Sequence, residues 1–75
     1  MKIKNYTVIL RSEPEGGYTA IVPSLPGCVT YGETIEEAKN MVKDAIEGYL
    51  VSLKKHGEVI PEEINVFTTS VFANA

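Results

Sequence analysis

The chain has 75 residues, 44% of them apolar and 23% charged, and a net charge of −3. A chain of this length folds as one domain, residues 1–75, around one small core that buries roughly 60% of the surface its unfolded state exposes, and its composition excludes disorder. No apolar run reaches the roughly 18 residues of a membrane span, and the N-terminus MKIKNYTV lacks the apolar stretch of a secretory signal, so the expected location is the cytoplasm.

The first predicted element is a strand over residues 3–10, with Tyr6, Val8 and Leu10 alternating onto one face. Glu13-Pro14-Glu15-Gly16-Gly17 reads as a hairpin turn and residues 18–22 as the returning strand. Pro23-Ser24-Leu25-Pro26-Gly27 is too rich in proline to stay in a ladder, so it loops out before a short third strand over residues 28–31. An exposed Leu25 held between two prolines would be a pre-organised binding element, with a purely structural turn as the equal alternative.

Thr34-Ile35-Glu36-Glu37 has the form of a capping box, with Thr34 at the N-cap and Glu37 reaching back to the N-cap backbone N–H. From there Ile35, Ala38, Val42, Ala45, Ile46, Tyr49, Leu50 and Leu53 fall within a stripe about 140° wide at helical periodicity, with Met41 on its margin. Glu33, Glu36 and Glu37 at its start and Lys54, Lys55 and His56 at its end match the helix dipole, and Gly57 is the expected C-cap.

Beyond Pro61, residues 64–72 (INVFTTSVF) read as a fourth strand, which a right-handed crossover would bring parallel to an earlier one. The expected fold is therefore α+β: a single βββαβ domain with one helix packed on a mostly antiparallel sheet. A helix about 10–12 Å wide cannot cover a four-stranded sheet about 19 Å across. Apolar residues also point to both faces, as with Ile9 beside Val8 and Phe67 beside Val66, which predicts a homodimer or larger homo-oligomer.

The residues that carry chemistry form no catalytic grouping. Cys28 is the sole cysteine and no CxxC or Cys/His cluster exists, so neither structural zinc nor another metal or cofactor is expected. A two-metal nuclease needs clustered carboxylates, yet the first strand has no acid, Asp44 lies mid-helix, and Asn65 stands where the last strand would need an acid. His56 is the sole histidine and belongs to a helix end, while Ser24 lies in a turn sequence and not in a GxSxG elbow. The negative charge and scattered basic residues argue against a nucleic-acid surface and suit a basic protein partner.

The order of Gly16, Gly17 and Tyr18, then Pro23, Leu25, Pro26, Gly27 and Cys28, then Gly32, Glu33, Thr34, Glu36, Glu37 and Ala38, resembles the HicB-like antitoxin family. The segment GEVIP from Gly57 to Pro61 extends the likeness over residues 5–63. The resemblance implies a partial ribonuclease H-like fold and a non-enzymatic antitoxin that binds and neutralises a small, basic, mRNA-cleaving HicA-type toxin. Many such proteins add a C-terminal helix-turn-helix or ribbon-helix-helix domain. This sequence leaves no room for one, so direct DNA binding is not expected. The expected toxin contacts are Pro23, Leu25, Pro26, Cys28, Thr30, Glu33, Glu36 and Glu37. An orphan regulatory or ligand-binding module of the same fold is the alternative.

Overall fold

The computed structural model describes residues 4–63, 67 and 69–74. Its elements are β1 (Ile9–Ser12), β2 (Tyr18–Ile21), β3 (Val29–Gly32) and α1 (Ile35–Lys55), in that order. The strands form an antiparallel meander, β1-β2-β3, with Leu10 opposite Ala20 and Ala20 opposite Thr30. This is a small α+β domain of βββα order, built as expected up to the helix. Four of the nine residues of the fourth predicted strand, 64–66 and 68, lie outside the described set, and the described Phe67 and residues 69–72 belong to no regular element.

Strand alternation decides which side chains meet the helix. Ala20 and Val22 point to α1 and join Leu25, Cys28 and Val42 in the buried core, with Tyr6, Val8, Ala45, Ile46, Tyr49 and Leu50 packed around them. The expected helical stripe is the face that packs, except for Ile35 at its start, which is 48% exposed. The first strand is shorter than its sequence suggests, because Tyr6 and Val8 lie before the paired stretch and still serve the core.

Close approach of α1 to β3 depends on Gly32. A Cβ there would lie 2.6 Å from Ala38 Cα and 2.9 Å from the Glu37 carbonyl carbon, so any side chain would drive the helix off the sheet. Thr34 caps the helix as its sequence predicts, its hydroxyl accepting from the Glu37 N–H at 3.0 Å. The return bond is displaced by one residue: Glu37 Oε1 accepts from the Glu33 N–H at 2.8 Å, not from that of Thr34. At the other end the cap is His56. Gly57 is the next residue, and bonds from the Gly57 N–H to Lys54 O and from the Glu58 N–H to Leu53 O close a Schellman motif.

Candidate functional site

The PSLPG segment is a latch on the core. Backbone bonds from Leu25 to Val22 O and from Cys28 to Leu25 O make two successive turns, closed by a bond from Val22 to Cys28 O. Pro26 and Gly27 occupy the centre of the second turn, and Gly27, at φ 82°, supplies the left-handed conformation a type II turn needs. The turns fold Leu25 inward to 0% exposure, and Cys28 is buried beside it. The expectation of an exposed Leu25 is thus corrected: an apolar residue between two tight turns gains more from the core than from solvent. Tyr49 of α1 donates to Pro26 O at 2.9 Å and holds the latch shut.

The expected contact residues fall in separate places. Pro23 and Pro26 are exposed on the latch, whereas Leu25 and Cys28 are core, and burial pushes the Cys28 thiol pKa up. Thr30 is half-buried on the helix-facing side, its hydroxyl without a hydrogen-bond partner among the described residues. Glu33, Glu36 and Glu37 are exposed at the opposite end of β3. Cys28 and Glu33 are five residues apart along an extended strand, about 16 Å at the usual rise, so the latch and the helix start are not one patch.

The β1–β2 hairpin adds carboxylates to the helix start that sequence reasoning did not single out. Tyr18 pairs with Gly32, and the Tyr31 hydroxyl donates to Gly16 O at 2.9 Å, which docks the hairpin turn beside the end of β3. Glu13 and Glu15 thereby join Glu33, Glu36 and Glu37 at one end of the fold. The Thr19 hydroxyl, followed by the Arg11 guanidinium at 3.0 Å, holds the Glu13 carboxyl below its ordinary pKa of 4.5. The signal was available in the hairpin parity, since a turn between paired strands must lie beside the far end of the third strand.

Among the described residues, two apolar surfaces stand out by their place in the fold: the open sheet face and a groove beside α1. On the sheet face away from α1, Ile9, Ile21 and Val29 stand opposite one another across all three strands, with Arg11, Thr19 and Tyr31 in the next row. Ile9 is 43%, Val29 54% and Tyr31 45% exposed. On the other side, a groove of about 730 Å³ runs between the N-terminal segment and α1, floored by Tyr6, Val8, Leu10, Val42, Ile46 and Leu50. Lys39, Lys43 and Glu47 border it, together with Lys4, whose ammonium is paired with Glu62 at 3.3 Å.

Among the described residues, no cluster of three or more His, Cys, Asp or Glu side chains could hold a metal ion, and no helix is long and apolar enough to cross a membrane.

The chain is thus a small antiparallel meander backed by one helix, with an acidic end. The family model of the HicB-like antitoxin of bacterial toxin-antitoxin systems matches residues 6–72, and the chain belongs to that family. It is 51% identical over 65 residues to a UPF0150 protein of Thermoplasma acidophilum, spanning 81% of this chain and 94% of that one. A UPF0150 protein of Synechocystis is 45% identical over 62 residues, 83% of this chain and 78% of that one. Antitoxin HicB of Escherichia coli is 38% identical over 56 residues, covering 75% of this chain and 41% of that protein.

Proposed function

We propose that the chain is an antitoxin that binds and neutralises a small, basic, HicA-type mRNA-cleaving toxin in the cytoplasm, and that it has no catalytic activity of its own. The observation that carries this reading is the match of the HicB-like antitoxin model to nearly the whole chain. The gathering of Glu13, Glu15, Glu33, Glu36 and Glu37 at one end supports it, because complementary charge speeds encounter with a basic partner. Glu33, Glu36 and Glu37, with the exposed Pro23 and Pro26, remain proposed contacts. Leu25 and Cys28 contribute from beneath by shaping the latch.

Co-expression tests the function. The wild-type chain should restore growth to cells expressing the neighbouring candidate toxin, and Glu36→Lys with Glu37→Lys should weaken the rescue. No rescue and no co-purification would replace this reading with that of an orphan regulatory module. Homo-oligomerisation belongs to the same proposal. A monomeric mass by light scattering at high micromolar concentration would remove that part.

A further inference from the structure

We propose that the open sheet face of Ile9, Ile21, Val29 and Tyr31 is the surface on which the basic toxin docks. This rests on the antitoxin reading and names the surface that performs it. The face is a consequence of alternation: Ala20 and Val22 turn to α1, so Ile21 must turn away, and the register sets Ile9 and Val29 on either side of it. Aliphatic side chains on strands about 4.8 Å apart form one contiguous strip. Among the described residues nothing covers it, and its outer members are 43% and 54% exposed.

Charge selects the occupant. The strip runs directly into the acidic end, because Tyr31 is both on this face and bonded to the hairpin turn that carries Glu13 and Glu15. Arg11, the cation on this face, is paired with Glu13 at 3.0 Å, so a basic partner would be drawn to the remaining carboxylates and then meet a surface that is inexpensive to desolvate. The other apolar surface, the groove along α1, is rimmed by Lys39, Lys43, the carboxylate Glu47 and a Lys4 paired with Glu62, and so lacks the concentration of carboxylates that would attract such a partner. Tyr31 is pre-ordered by its bond to Gly16 O, so little side-chain entropy is lost when it is covered.

The test uses the full chain and the neighbouring candidate toxin, with affinity measured by calorimetry, folding by thermal melts and mass by light scattering. Val29→Lys should weaken binding by about 30-fold or more, the loss expected on disrupting a central apolar contact. Met41→Lys, on the exposed side of α1, should leave affinity unchanged. Should Val29→Lys fail to fold, Ile9→Thr with Val29→Thr keeps the strand preference and decides the matter by the same loss. Wild-type affinity in a folded face variant overturns the proposal. So does a fall from dimer to monomer with toxin affinity intact, which would assign the face to a second copy. A wild-type chain that binds no toxin refutes the antitoxin reading itself, a result distinct from either.

Discussion

Replacing Leu25 by alanine empties a fully buried site in the core and should cost about 2–5 kcal/mol, read as a lower midpoint in urea. Gly32→Ala should cost a comparable amount for a different reason, overlap with the backbone of the first helical turn. Two carboxyls make stability depend on pH. The Thr7 hydroxyl, then that of Ser24 at 2.7 Å, hold the Glu63 pKa below its ordinary 4.5, and Glu13 is lowered by Thr19 and Arg11. A depressed folded pKa contributes stability that is complete above the unfolded value and is lost as pH falls through the folded one. Melting temperature should therefore drop below about pH 4.5, and Glu13→Gln with Glu63→Gln should flatten that fall. An unchanged slope in the double variant would show that other groups govern it.

At the scale of elements, tyrosine hydroxyls hold the connections in place. Tyr6 donates to Pro61 O at 2.6 Å, Tyr31 to Gly16 O and Tyr49 to Pro26 O at 2.9 Å, one each for the post-helical segment, the hairpin and the latch. Tyr49→Phe should cost about 1 kcal/mol and speed hydrogen exchange at the Leu25 and Cys28 amides, while leaving those of α1 unchanged. Thr34→Ala should cost about 1 kcal/mol through loss of the cap. The strands and helix were legible because alternation and the helical stripe are local patterns. The inward fold of Leu25 was not, because two turns in succession leave no periodicity and exposure is settled by the core they close upon. Nor was the displaced return bond of Glu37, since a side chain that spans three residues to a cap also reaches the residue before it.

Across the whole molecule, charge is sorted: carboxylates gather where the hairpin meets the helix start, and lysines border the groove on the other side of the sheet. Association with a basic toxin should therefore slow markedly as ionic strength rises, with dissociation much less affected, and stopped-flow mixing at several salt concentrations measures this. A salt-independent association rate would show that the acidic end takes no part in encounter. This sorting was half legible, since Glu33, Glu36 and Glu37 are neighbours in sequence, whereas Glu13 and Glu15 reach them only through strand pairing. The separation of the latch from the acidic end was hidden for the same reason, as nearness along the chain across an extended strand means distance in space.

The bond between Tyr31 and Gly16 O ties the hairpin turn to the open face, and it turns that loop into a clock. The turn contains two glutamyl peptide bonds, and the one after Glu13 resists a glutamate-specific protease because Pro14 follows. Within the turn, cleavage is thus confined to the bond between Glu15 and Gly16, beside the carbonyl that Tyr31 grips. Whatever occupies the face shields that bond, and the half-life of this single nick, followed by mass spectrometry, reports how long the occupant stays.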